Sequence, residues 1–386
     1  MNASRMVVML HELSLTGAPR LTLDLLEAIR PDVSMRIVTR DGGPLVNTAR
    51  ALGPTVVLRS AGLERVFPRR LATERVVQVL AGGSSRIRAA EQAAVLRRWN
   101  PQLAYVATVA ALPLVPMLRL GNVPVVLHVH ELDSALAWFE RAFPGLIRSV
   151  PDRYVAVSDG VARVLVDQFG VPAEAISVVS PYVLPPIPEV PAMSGTNDRT
   201  CLVVGGAGTP GWRKGIDLWL LAAREAADRL GPDGVRFAWV GYKDNLAGLE
   251  FRTMISKLGL DEVVELVPET DRPHDHFARF DMFAMTSWED PFPLVVLEAM
   301  AMGVPVICFS PTGGPAEEVG DTGVVIPEIS PHLMADAIVD LAQSPQRRRE
   351  MGIAGARRVR DHFRRDKSVA ALTQVLDAAV KPPGHR

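Results

Sequence analysis

The sequence predicts an α/β protein of two doubly wound, Rossmann-like domains facing each other across a cleft. Three observations carry this expectation: short apolar runs alternate with helical periodicity, the alternation happens twice, and a proline-rich segment divides the two series. At 386 residues the chain has room for two domains, each with its own core.

In the first series MVVML, MRIVT, TVVLR, LAYVA, VVLHV, YVAVS and ISVVS read as strands, and LTLDLLEAI and RVVQVLAG read as helices between them. This series fills a domain over residues 1–180. Residues 181–199, PYVLPPIPEVPAMSGTNDR, hold five prolines followed by a small-polar run, the composition of a semi-rigid linker. Over residues 200–365, CLVVGG, RFAWVG, VVELV, FDMFAMT and VPVICFS then read as strands, with helices such as IDLWLLAAREAADRLG between. Residues 366–386 are expected to form a C-terminal helix and tail that returns towards the first domain. In open parallel sheets, ligands bind beyond the carboxyl ends of the strands, so the loops that follow strands are where chemistry is sought.

Composition narrows the function. The chain is 48% hydrophobic and 22% charged, and its formal net charge of −1 argues against a general nucleic-acid binder. Residues 1–185 carry 20 Lys+Arg against 15 Asp+Glu and the remainder 22 against 28, a basic first half and an acidic second. Cys201 and Cys308 each adjoin an apolar strand-like run, as reduced buried thiols do, and no metal-ligand spacing is visible. The start, MNASRMVVMLHEL, lacks the apolar length of a signal peptide, and the run Leu103–Leu118 is too short and proline-interrupted to span a membrane. A cytoplasmic protein is expected, with attachment to the inner face of the membrane left open.

The most informative stretch is SWEDPFPLVVLEAMAMGVPV, residues 287–306. A helix is expected over Pro291–Met302, with Asp290 as its N-cap, Pro291 in its first position, Gly303 after its end and Pro305 forbidding continuation. Glu298 stands among apolar neighbours on all sides of that helix. A buried carboxylate needs partners, and either protein donors or a ligand must supply them. After CLVV comes GGAGTPGWRKGIDL, where glycines, a helix N-terminus, Arg213 and Lys214 suit a phosphate. The spacing is neither a Walker A loop nor a convincing dinucleotide fingerprint. A second glycine pair, SPTGGPAEEVG, follows the next strand, with Glu317 behind it. Together these loops describe a diphosphate held by amides and cations, with Glu298 accepting both hydroxyls of a ribose. In the first domain HEL occurs twice just past a strand, at His11–Leu13 and His130–Leu132. Gly17 sits where a helix N-terminus can approach a phosphate, His130 and Glu131 are placed to meet a sugar, and His128 inside the strand reads as packing.

These motifs resemble the family 4 glycosyltransferases, also called glycosyl transferases group 1, which are retaining enzymes of the GT-B fold. HELSLTGAP, HVHEL, AVSDGVARVLVDQFGVPAEAISVVS, WRKGIDL and WEDPFPLVVLEAMAMGVPV followed by TGGPAEE carry the resemblance over nearly the whole chain. It implies metal-independent transfer of a sugar from a nucleotide diphosphate donor, bound mainly by the second domain, to an acceptor bound mainly by the first. It also implies roles: Lys214 on the diphosphate, Glu298 on the ribose, Asp290 on the donor sugar, Gly17 near the diphosphate and His130 near the transferred sugar. His130, Lys214 and Asp290 are thus the candidate catalytic residues. Gly206, Arg213, Phe292 and Gly314 complete the donor-binding set, and neither metal nor resident cofactor is expected.

Two departures stand out. The family usually has Glu where the count falls on Asp290, with Glu289 one position early, and the arginine often found before the lysine has no match in Gly205–Gly211. Retention is discussed in this family as same-face attack, so no enzymatic nucleophile is assigned. The acceptor is expected to be a glycan or lipid-linked glycan of surface polysaccharide or glycoconjugate synthesis. Residues 51–100 carry nine arginines, among them Arg65, Arg69, Arg70, Arg86, Arg88, Arg97 and Arg98, a candidate surface for anionic lipid. With 37 Arg and 5 Lys in the chain, an ordinary solvated helix is the competing account. Other readings on the same scaffold are a sugar-nucleotide epimerase and a catalytically silent sugar-nucleotide binder or partner protein. A phosphorylase would need a pyridoxal phosphate lysine, and only Lys214 stands near the site.

Overall fold

The structure, a computed structural model, describes residues 4–58, 88–184, 201–231 and 233–380. They fall into two compact units, one running to Val179 and including the residues from Asp366 onward, the other Ser180–Arg365. Most of the proline-rich segment, the RVVQVLAG pattern and Arg65, Arg69, Arg70 and Arg86 lie outside the described residues.

The first unit is built on seven parallel strands: β1 (Ser4–Leu10), β2 (Val33–Thr39), β3 (Thr55–Val57), β4 (Leu103–Val106), β5 (Val125–Val129), β6 (Arg153–Ala156) and β7 (Ile176–Val178). Their order across the sheet is β3-β2-β1-β4-β5-β6-β7. The register places Met6 of β1 beside Met35 on one flank and Leu103 on the other. Strands buried on both faces read as continuous apolar runs rather than alternating ones. Accordingly Met6–Met9 and all of β4 are sealed from solvent. Residues 88–99 are helical and turn Ala89, Ala93 and Leu96 inward at helical spacing, leaving Arg88, Arg97 and Arg98 outside.

The second unit has six parallel strands: β8 (Leu202–Ala207), β9 (Val235–Tyr242), β10 (Val264–Pro268), β11 (Met282–Met285), β12 (Val306–Phe309) and β13 (Val324–Ile326). Their order is β10-β9-β8-β11-β12-β13. The edge strand β13 is not among the strands read from the sequence. Its core is aromatic: Trp219, on the helix Ile216–Leu230, meets Phe237, Trp239 and Phe251 edge-on at centroid distances of 5.6, 5.3 and 6.4 Å. Such pairs add about 0.5–1.5 kcal/mol each beyond the area they bury.

Gly206 belongs to this core. A Cβ on it would stand 2.6 Å from Trp239 Cε3 and 2.7 Å from Trp219 Nε1. The sequence expectation that Gly206 opens the donor loop is therefore corrected: it lies within β8, and its missing side chain makes room for two indoles. Among the described residues no helix is long and apolar enough to cross a membrane.

Candidate functional site

Each sheet has one place where the chain, having built outward on one side, crosses to the other. In the second unit that switch lies between β8 and β11, so the loops after these strands run side by side. The loop after β8 ends in a short 3-10 turn, Trp212–Lys214, and Gly215 then opens the helix at a left-handed φ of 62°. A side chain at Gly215 would lie 1.9 Å from Thr286 O in the loop after β11. With glycine there, Thr286 Oγ1 donates to Gly215 O at 3.0 Å and Trp288 N donates to Arg213 O at 3.0 Å. Trp212 and Trp288 lie nearly parallel at 6.4 Å beside this seam.

The seam brings the candidate charges together. Lys214 Nζ donates to Asp290 Oδ2 at 2.6 Å, and Arg213 Nη1 stands 3.3 Å from the same oxygen. The Asp290 side chain is 6% exposed and that of Lys214 15%, so both are largely withdrawn from water. A third loop fixes the carboxylate's backbone: Asp290 N donates to Thr312 O at 2.7 Å, and Gly314 N donates to Asp290 O at 2.9 Å. Gly314 permits that approach, because a Cβ on it would sit 2.4 Å from Pro291 O. Gly208, absent from the sequence-derived set, does the same for the cation. Its φ is 129°, and a Cβ there would press to 3.0 Å on Lys214 Cε.

The start of the next helix is corrected. It runs Leu294–Ala301 with Pro293 as N-cap, not Pro291–Met302 with Asp290 as N-cap. Asp290 forms a parallel bridge with Gly313, and the residues after it cross to the helix in an extended path rich in proline. Gly303 closes the helix at φ 75° as expected. The helix is not sealed on every side either: Val296, Leu297, Ala299 and Met300 are buried, while Leu294, Val295 and Glu298 share a partly open face. Glu298 is therefore half-buried, on the partly open side of its helix. Phe292 turns its ring onto Phe363 at 5.7 Å. Glu318, which the sequence reading passed over beside Glu317, is fully buried near Asp290 and Lys214.

In the first unit the switch falls between β1 and β4. Gly17 is the first residue of the helix Gly17–Ile29, and Ser14 Oγ in the loop before it donates to Glu12 Oε1 at 2.7 Å. After β5, Glu131 braces two loops: it accepts from His130 N at 2.9 Å and from Thr108 Oγ1. Burial pushes its carboxyl above the usual range, and those hydrogen bonds oppose the shift. Glu131 is thus committed to the loops. His128 is buried, with Nδ1 2.6 Å from the Tyr105 hydroxyl and its ring 4.1 Å from that of His130. Among the described residues His130 Nε2 is shielded from solvent and has no hydrogen-bond partner.

Burial first, and then the neighbouring His11, pushes the His130 imidazole down to about 4. His128 is lowered too, by burial and by His130, and His11 chiefly by burial. Between pH 6.5 and 4 the unfolded chain binds protons that native His130 refuses, so stability falls as pH drops through that window. The expected loss from His130 is on the order of 3 kcal/mol. Urea unfolding at pH 7 and pH 4.5 checks this: His130→Gln narrows the gap between the two values, and an unchanged gap contradicts the assignment.

Comparison with known proteins follows this geometry. The chain covers 97% of its own length and 100% of an Anabaena protein, Alr3699/HepE, solved with UDP and glucose, at a TM-score of 0.74 and 18% identity. That likeness establishes the twin-Rossmann GT-B fold. Residues 15–183 match the model of Glycosyltransferase Family 4, and residues 198–344 that of Glycosyl transferases group 1. The chain belongs to this glycosyltransferase family. A D-inositol 3-phosphate glycosyltransferase of Kineococcus radiotolerans is 30% identical over 262 residues, which is 60% of this chain and 58% of the relative. One from an Arthrobacter species is 27% identical over 300 residues, 69% of this chain and 70% of the relative.

Proposed function

We propose that the protein is a retaining glycosyltransferase that moves a sugar from a nucleotide diphosphate donor to a glycan or lipid-linked acceptor in surface glycoconjugate synthesis. The observation that carries this reading is the Lys214–Asp290 pair at 2.6 Å, held by three converging loops at the switch point of the second unit. When the glycosidic bond breaks, the leaving nucleotide diphosphate gains negative charge, and fixed cations and amides offset it best in a water-poor site. Lys214 and Arg213 are the cations, Glu298 the ribose acceptor, and Asp290 the contact to the donor sugar. In the first unit, taken by itself, Gly17 is assigned to a phosphate and His130, neutral at physiological pH, to a sugar.

Catalysis is proposed to need no metal, since the cations supply the charge a metal would otherwise bring. One trio among the described residues, Glu225, His332 and Asp336, has ligand-type atoms close together, but Arg229 already holds Asp336 at 2.6 Å. Glu225 of that trio also lies nine residues along the helix from its first residue, Ile216, roughly 13 Å at 1.5 Å per residue. Peripheral attachment to the inner face of the membrane belongs to this reading, supported by the arginine-rich first half.

The test is turnover. A panel of nucleotide sugars including UDP-glucose is incubated with lipid extract or with D-inositol 3-phosphate, the acceptor in the relatives' name, with and without EDTA. Release of nucleoside diphosphate that needs an acceptor, survives EDTA and gives a product of unchanged anomeric configuration is expected. Donor binding without release under every acceptor condition favours a silent sugar-nucleotide binder instead.

A further inference from the structure

Glu318 lies on the short helix Gly314–Val319, the same helix whose first N–H donates to Asp290 O at 2.9 Å. Its side chain is 0% exposed, and among the described residues neither carboxyl oxygen has a hydrogen-bond partner. The Arg358 guanidinium does not relieve this. Arg358, from the helix Pro345–His362, donates to the backbone carbonyls of Glu318 and Glu317 at 2.7 and 2.8 Å, closing the end of the helix. The charges that act on the Glu318 carboxyl are those of Asp290, Lys214 and Glu317. On the elements packed against its helix stand the buried Cys308 of β12 and Glu298 of the helix Leu294–Ala301, while β13 is wholly aliphatic.

An ionised carboxylate without donors in such a place is too costly to persist, so the group keeps its proton. Burial first and Asp290 second drive its carboxyl well above the usual range, against the opposing pull of Lys214. Neutrality has a consequence for its neighbour. Lys214 already serves one carboxylate, and a second ionised carboxylate within electrostatic reach would compete with an incoming diphosphate for the same ammonium.

We propose that Glu318 is a positioning residue for donor binding: as a neutral acid beside the Lys214–Asp290 pair it leaves the Lys214 ammonium free to answer the donor's diphosphate. The proposal rests on the reading of Lys214 as the diphosphate cation. It makes Glu318 a proton-dependent setting on affinity, in which loss of the proton adds one negative charge where the diphosphate must go.

The experiment is calorimetric titration of UDP, GDP and ADP into wild type, Glu318→Gln and Glu318→Met from pH 7 to the alkaline limit of the folded protein. Thermal unfolding is recorded for each at every pH. Wild-type affinity is expected to fall about tenfold as Glu318 ionises, the order of magnitude of one added unit charge at an effective protein dielectric of about 20. Glu318→Gln, which is permanently neutral, holds its affinity over the same range, and Glu318→Met serves the same comparison if the amide variant fails to fold. Titration of Lys214 is common to all three proteins, so the difference between them belongs to Glu318. A flat wild-type profile, or a parallel fall in the neutral variants, overturns the proposal while leaving the donor site standing. Failure of any nucleoside diphosphate to bind wild type at pH 7 overturns the donor-site reading itself, and this proposal with it.

Discussion

Lys214→Ala is expected to lower kcat/KM for the nucleotide sugar by about 10²–10³-fold, mostly in kcat, the range seen when one preorganised charge-stabilising group is removed. The reasoning is differential. Before reaction the ammonium is already engaged with Asp290 at 2.6 Å, so its added worth appears as charge builds on the leaving diphosphate. Lys214→Arg restores only part of the loss, because the lysine stem runs under Gly208, where even a Cβ would stand 3.0 Å away. A planar guanidinium needs more room than that corridor gives. Steady-state kinetics by nucleoside diphosphate release check both variants, and a Lys214→Ala enzyme with unchanged kcat contradicts the role.

Asp290→Ala carries the second large effect, on stability and on turnover together. Truncation leaves the Lys214 side chain, 15% exposed, without its Asp290 partner and removes the carboxylate that stands 3.3 Å from Arg213. Breaking a buried ion pair costs about 3–5 kcal/mol. Because Lys214 keeps some access to water, about 2 kcal/mol is expected here, read as a lowered midpoint in urea. Turnover falls further than stability explains, since the donor-sugar contact goes with the carboxylate. Asp290→Asn separates the two: its amide oxygen still accepts from Lys214 Nζ while the negative charge is gone, so it unfolds nearer to wild type yet remains slow. An alanine variant as stable and as fast as wild type is incompatible with both assignments.

Much of the architecture was legible because buried parallel strands leave an unmistakable trace. MVVML and LAYV are apolar throughout, and the sheet orders then follow from alternation with helices. The strand β13 escaped notice because three residues between a turn and a proline give no period to read. The site was legible to the depth of its loops. Lys214, Asp290 and Gly314 follow strands, and the fold brings them together as loops after strands should be. What was not legible depends on neighbours far away in sequence. Gly206 and Gly208 are identical as letters, yet one faces two tryptophans and the other the stem of Lys214. Asp290 looks like an N-cap in a linear reading, and only the bridge to Gly313 reveals that the chain is still extended there. In Glu317-Glu318 nothing local says which acid is inside, since a six-residue helix is too short for periodicity to decide.

The second unit is proposed to be a nucleotide site whose ribose is held by Glu298. The most direct measurement is equilibrium titration of a nucleoside diphosphate into wild type and Glu298→Ala at pH 7. Loss of charge-assisted hydrogen bonds worth about 1.5–3 kcal/mol predicts affinity weakened roughly 10- to 100-fold. Equal affinity in the two proteins would contradict the account.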